Sequence, residues 1–209
     1  MSAEKVLQQV AAQVAACEKC ELHHSRKNAV PGEGPPDAEM MFIGEGPGFH
    51  ENEQGRPFVG AAGRFLEELL ATIGMTREQV FIANVVKCRP PGNRDPQAEE
   101  LQACSDYLER QIQAINPKVI ITLGRFSMQR YLPNAKISQV HGQAVLVKNR
   151  LVYPMYHPAA ALHQPSLRSA VEVDFAKLPE MINQAGEVVE YVETTNNESQ
   201  DDAQQLNLF

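Results

Sequence analysis

Four cysteines stand in the pattern C-x2-C-x67-C-x15-C, as Cys17, Cys20, Cys88 and Cys104. Two of them open the run CEKCELHH (residues 17–24), which adds His23 and His24 and could be written as a small local zinc site. The start MSAEKVLQQVAAQVAA carries charge and lacks the apolar core of a signal peptide, so a cytoplasmic, reducing setting is expected. In that setting four cysteines favour metal ligation over disulfides.

Further chemistry is scattered along the chain. Phe58 lies in a glycine- and proline-rich stretch with polar neighbours, an unusual place for a core ring. Asn84 interrupts the apolar run VFIANVV (80–86), where an amide is costly unless it is hydrogen-bonded. His157 precedes Pro158, which holds the chain extended and aims the imidazole off the end of a strand. Glu45 and Glu51 share the stretch GEGPGFHENEQGRPFVG (44–60) with Phe58.

The elements that must position these residues follow from apolar periodicity. MMFIG (40–44), VFIANVV (80–86) and KVIITLG (118–124) read as buried strands, and QAVLVKNRLVYPM (143–155) as a hairpin around Lys148–Arg150. AAGRFLEELLATIG (61–74) and QAEELQACSDYLERQIQAI (97–115) read as helices, as do the N-terminal stretch, a short segment over 124–132 and residues 165–184. Strands alternating with helices imply an α/β protein whose parallel sheet is covered on both faces. Three rich loops, 44–60, 84–96 and 156–168, each follow a strand. In an open α/β sheet such loops converge on one ligand site at the carboxyl ends of the strands.

Composition sets the outer bounds. With 209 residues, 43% hydrophobic and 22% charged, the chain fits one soluble domain, and no apolar run reaches the roughly 20 residues of a membrane span. The net charge of −7 is concentrated at the end. Residues 185–209 hold Glu187, Glu190, Glu193, Glu198, Asp201 and Asp202 and no Lys or Arg, leaving 19 basic against 20 acidic residues in the body. A near-neutral body can still present a local basic face to phosphates, so nucleic acid is not excluded.

Four stretches, CEKC, GEGPGFHENEQGRPFVGAAG (44–63), IANVVKCRPPGNRDP (82–96) with Cys104, and YPMYHPAAAL (153–162), resemble in order the iron–sulfur-containing family 4 uracil-DNA glycosylases, over residues 10 to 184. The resemblance implies a three-layer α/β/α sandwich with a central four-stranded, mainly parallel sheet over residues 1–184. It implies a monofunctional DNA-repair hydrolase that flips deoxyuridine from single- or double-stranded DNA and cleaves its N-glycosidic bond, leaving an abasic site. A monomer is expected. Phe58 would stack on the extruded uracil, and Asn84 would accept from N3–H and donate to O4, a pattern that rejects cytosine. His157 would donate to O2, where charge develops. Gly46 stands where the related family 1 enzymes carry a water-activating aspartate, so Glu45 and Glu51 are the remaining catalytic acids. Glu51 either handles the water, crowds uracil C5 against thymine, or serves only the loop. Phe49 and His50 occupy positions that are commonly acidic in the family.

Lys87, Arg89, Arg94 and Arg168 are candidate phosphate contacts, and Leu162 a candidate wedge for the space left by the flipped nucleotide. Four thiolates and no histidine suit a structural [4Fe–4S] cluster, with an all-cysteine zinc site as the alternative donor match. His23 and His24 then become surface or packing residues. A rival reading is a non-catalytic or covalent uracil-DNA binder, or an iron–sulfur damage sensor. The covalent binders carry an arginine-rich insert that QVHGQAV (139–145) lacks.

The acidic stretch 185–209 reads as a disordered tether. Its end, Gln205, Leu206, Asn207, Leu208 and Phe209, resembles the pentapeptide that docks bacterial proteins on the replicative sliding clamp. Deleting these five residues is expected to abolish clamp binding in a pull-down while activity on free oligonucleotides stays unchanged.

Overall fold

The computed structural model describes residues 1–148, 150–183 and, for the backbone, 204–205. The rest of the tail, and with it most of the clamp-like pentapeptide, lies outside the described residues. The strands are β1 (Met40–Gly44), β2 (Phe81–Asn84), β3 (Val119–Leu123), β4 (Val145–Val147), β5 (Arg150–Met155) and a two-residue β6 (Gln204–Gln205). The helices are α1 (Ala3–Ala15), α2 (Leu22–Ser25), α3 (Phe49–Gln54), α4 (Ala61–Thr72), α5 (Ala98–Ile115), α6 (Arg125–Gln129), α7 (Ile137–Val140), α8 (Pro158–His163) and α9 (Arg168–Ala176).

The sheet order is β2-β1-β3-β5-β4-β6. The first four strands are parallel, which matches the expected four-stranded core. The sheet is wider than expected because β4 folds back antiparallel on β5, with Val145 opposite Val152, and β6 registers against β4. The edge beyond β2 is closed by Glu33, which exchanges both backbone bonds with Ile82 (3.0 and 2.8 Å).

Strand side chains alternate between two cores, as the pleat requires. Met40, Phe42, Ile82, Ile121 and Tyr153 face Leu66, Leu70, Val171 and Phe175 of α4 and α9. Met41, Ile43, Phe81, Ala83 and Ile120 face Leu108 and Ile112 of α5. Val10 and Val14 of α1 pack on Tyr107 of α5, an additional helix outside that layer. These are the three expected layers. Among the described residues no helix is long and apolar enough to cross a membrane.

The chain leaves β1 to one side to form β2, then crosses back past β1 to form β3. The strand order therefore reverses beside β1, which opens a crevice at the carboxyl ends. The residues 44–60, expected as loop, contain the short helix α3 between Gly48 and Gly55. Strand β2 stops at Asn84, so the asparagine ends its strand rather than interrupting it.

The start of α5 is fixed by a buried carboxylate. Glu100 accepts from both terminal nitrogens of Arg94 (2.9 and 2.6 Å) and from the Gln97 amide (2.8 Å), holding the 88–96 loop to the helix that carries Cys104. The Arg94 bond in the first place holds the Glu100 carboxyl below its ordinary value. Its stabilisation is therefore present above the ordinary carboxylate pKa and is lost as pH falls through the lowered one. Glu100→Gln is expected to cost about 1–3 kcal/mol at neutral pH. Urea unfolding should show that difference shrinking as pH falls below the ordinary carboxylate range.

Candidate active site

Gly44 and Asn84 are register partners at the ends of β1 and β2, and the backbone pairing continues one step further through Val85 N–H to Gly44 O (3.0 Å) and Val86 N–H to Glu45 O (3.1 Å). A Cβ on Gly44 would overlap Asn84 Oδ1 and stand 2.8 Å from two ring atoms of Phe58. The missing side chain is what lets the asparagine and the ring meet. Asn84 is 2% exposed, and among the described residues its amide takes no hydrogen bond from the protein. Both of its polar ends remain for a ligand.

Phe58 is also buried (5% exposed), with φ at +51°, a left-handed conformation unusual for a bulky residue. Several groups hold it there. Arg77 donates to the carbonyls of Pro57 (2.7 Å) and Phe58 (3.0 Å), while pairing with Glu33 and Glu67. Gly63, in the first turn of α4, has no room for a Cβ against the Phe58 carbonyl. Arg77 carries no local signal of this role; it lies 19 residues away in a 3-10 turn beyond α4.

Glu51 sits beneath the same loop. Its carboxylate accepts from Gly48 N–H (3.1 Å), Val59 N–H (2.9 Å) and Gly60 N–H (2.9 Å). Three backbone donors make this acid an anchor for the turn that presents Phe58. Glu45 differs: it is half-buried and makes no side-chain hydrogen bond among the described residues. Burial, reinforced by Asp95 and opposed by Arg125, holds its carboxyl above the ordinary range. Gly46 packs against Val86 and Pro90, with no space for a side chain toward Val86.

His157 arrives from the far side of the crevice, two residues past β5. Its ring stacks on Phe58, with centroids 5.4 Å apart and planes at 25°. Its Nδ1 accepts the Ala159 N–H (3.1 Å), capping α8. That bond assigns the neutral proton to Nε2, which is left to donate. Burial pushes the imidazole down to about 4, against the opposing field of Glu51. The arrangement thus offers a neutral N–H donor, a two-sided amide and an aromatic face around one crevice. That is a binding set for a flat, polar heterocycle and a donor for charge developing on it.

The candidate phosphate contacts separate. Lys87 is 1% exposed and donates to Gln111 Oε1 (2.8 Å), so it cannot reach a phosphate: the residue after Val86 turns inward beside the cysteines. Arg94 is committed to Glu100, as described, and is a structural clamp. Arg89 lies on the rim, bonded through Nε to Asn93 Oδ1 (2.7 Å). Arg168 sits over the Phe65 ring and pairs with Glu172 (2.9 Å) on the outer surface. Leu162 is 41% exposed on α8.

The four thiols line one pocket, together with His23, Arg26, Lys87 and Tyr107. His23 Nδ1 is bonded to the Cys20 carbonyl (2.8 Å) and His24 is exposed, so the local Cys2His2 grouping does not form. Among the described residues no three His, Cys, Asp or Glu side chains converge to hold a single ion. Burial pushes the thiols of Cys20 and Cys88 up, and that of Cys104 to about 11. Thiolates there need positive charge nearby. Arg26 supplies one, donating to Cys88 Sγ (3.5 Å) while its other bonds reach the carbonyls of Cys17 (2.6 Å) and Ala15 (2.8 Å). Lys87 is a second: burial lowers its ammonium to about 7, and the field of Cys104 opposes that shift.

Comparison with known proteins places the chain in a family. Residues 31–178 match the model of the Uracil DNA glycosylase superfamily. The chain is 50% identical to the type-4 uracil-DNA glycosylase of Sulfurisphaera tokodaii over 185 residues, 84% of each chain. It is 48% identical to that of Archaeoglobus fulgidus over 184 residues, covering 84% of this chain and 92% of the relative. A third relative of the same name, from Saccharolobus solfataricus, is 49% identical over 184 residues, 83% and 85% of the two chains.

The lowered pKa of His157 gives a signed expectation. Between its ordinary value of 6.5 and about 4, the unfolded chain binds a proton that the folded chain does not. Its contribution to stability is therefore whole above pH 6.5 and is lost as pH falls toward 4. NMR titration should place the His157 midpoint near about 4, and His157→Gln should flatten stability over that window.

Proposed function

The chain belongs to the Uracil DNA glycosylase superfamily, and we propose that it acts as the type-4 enzyme, releasing uracil from DNA and leaving an abasic site. The observation that carries the reading is that Phe58 meets Asn84 over Gly44 and stacks on His157, three groups from separate segments whose chemistry matches one uracil ring.

The target nucleotide leaves the stack and enters the crevice. Phe58 lies against its face, and the Asn84 amide accepts from N3–H and donates to O4. Cytosine presents the reverse pattern and would leave both partners unsatisfied. As the C1′–N1 bond breaks, its electron pair stays on the ring and the charge gathers at O2. His157 Nε2–H donates to that oxygen. A neutral donor fixed by its Nδ1 bond strengthens as charge develops, with no proton to lose at neutral pH. Water adds at C1′ and gives up a proton. Of the two acids, Glu45 is free of backbone partners and held above the ordinary carboxylate range, which suits it to take that proton. Glu51 serves by anchoring the Phe58 turn. Arg89, Leu162 and Arg168 are proposed to contact the strand around the flipped nucleotide.

The donor set and counter-charges fit a [4Fe–4S] cluster held by Cys17, Cys20, Cys88 and Cys104; when bound, it would tie the N-terminal segment to the 88–104 region and supply no redox step to the hydrolysis. The tail pentapeptide is proposed to dock on the sliding clamp.

Incubation with uracil-containing single- and double-stranded oligonucleotides followed by alkali should cut the strand at uracil and leave thymine controls intact. His157→Ala should slow release about 10²–10³-fold, and Glu45→Gln should lower kcat more than it raises KM. Tight uracil-DNA binding with no scission would favour the non-catalytic reading instead.

A further inference from the structure

Among the described residues four large hydrophobic side chains are exposed: Met1, Phe49, Leu162 and Val173. Two of them flank the crevice. Leu162 follows β5, and Phe49 opens α3 just past β1, so strand order places them on opposite sides, with β3 between. Phe49 is 54% exposed, yet it is not loose. The Arg89 guanidinium lies over its ring, 5.4 Å from the centroid, and His50 meets it edge-on at 5.5 Å and 80°. Arg89 is steadied by Asn93 through Nε, in a turn stiffened by Pro90 and Pro91. The pair thus joins the loops that follow β1 and β2 at the mouth of the site, while Phe49 stays exposed to water. None of the groups proposed to hold the flipped base needs Phe49.

We propose that Phe49, backed by Arg89, is a stacking platform for the nucleobase adjacent to the flipped one, so that the enzyme grips the strand on the side away from Leu162. This rests on the glycosylase reading above. A ring with one face under a guanidinium and its remaining surface in water suits a base, because any base offers an apolar face. The guanidinium supplies positive charge where the phosphate of that nucleotide would pass. Flipping takes away one stacking partner from each neighbour, and Phe49 would replace the lost contact for one of them. The platform would matter most on single-stranded DNA, where no opposite strand holds the neighbour in place.

The test uses the full chain and single-stranded oligonucleotides carrying one 2′-fluoro-deoxyuridine, whose glycosidic bond resists cleavage. Phe49→Ala should weaken binding about tenfold, the low end of a base–aromatic stack, and Phe49→Trp should stay within threefold of the parent. Replacing the neighbouring base by an abasic spacer, on one side of the uracil only, should bring Phe49→Ala and parent within threefold of each other. That side identifies the stacked neighbour. The proposal is overturned if Phe49→Ala binds within threefold of the parent on the intact strand, or if its deficit persists with the spacer on either side. A parent protein that does not prefer the fluorouridine strand over an all-thymidine one overturns the glycosylase reading instead. An unchanged melting temperature for Phe49→Ala excludes a folding effect.

Discussion

The site depends on an atom that is not there. Gly44 ends β1 beside Asn84, and the space where its Cβ would stand is shared by Asn84 Oδ1 and the Phe58 ring. Any larger residue at this strand end would separate the amide from the aromatic face. Everything around the pair serves to keep that space filled from outside rather than from the strand. Glu51 pins the turn from below through three N–H groups, and Arg77 pins it by two carbonyls. Gly63 lets α4 close onto the Phe58 carbonyl. The left-handed φ of Phe58 persists because these contacts over-determine it.

The cysteine region is built on a second constraint, charge in a buried place. Lys87 lies between Val86 and Cys88, on the stretch that links the crevice to the thiols. The chain carries an amine into the interior there, lowered to about 7 by burial, and meets it with Gln111, which in turn donates to the Pro31 carbonyl (2.7 Å). Arg26 enters from the N-terminal segment and touches both halves of the cysteine set. An anionic thiolate group would neutralise Arg26 and favour the charged form of Lys87. The crevice and the cysteines are thus two ends of one piece of chain, 84–88, whose first residue faces the crevice and whose last lies among the thiols.

Much of this was legible in the residues. The buried strands, the parallel order and the convergence of three post-strand loops follow from periodicity, and the structure places Phe58, Asn84 and His157 together as that convergence requires. Where the residues misled, at Lys87 and Arg94, the cause is the same. Lys87, Arg89 and Arg94 look alike in sequence, three cations around a Pro/Gly loop, yet one is buried, one caps an exposed ring and one holds Glu100. Glu45 and Glu51 are likewise equivalent acids in one loop until the backbone N–H groups are located. For a charged side chain, the decisive fact is which partner lies opposite, and that partner is usually far away in sequence. Arg77 and Arg26 show the same thing in reverse, since they act on residues 19 and 62 positions away and carry no local sign of it.

The sequence by itself determined the elements, the sheet and the set of chemical groups at the strand ends, because hydrophobic period and strand-end glycines and prolines act over a few residues. Only the tertiary structure decided what each polar group does. It set the His157 tautomer through a bond to Ala159, divided the two acids into an anchor and a free carboxyl, and turned Lys87 inward. The sheet's width was also decided there, by β4 folding back on β5. Apolar side chains need only reach the core, a condition that local pattern satisfies. Polar groups need a specific partner at hydrogen-bond distance, and only the folded chain provides it.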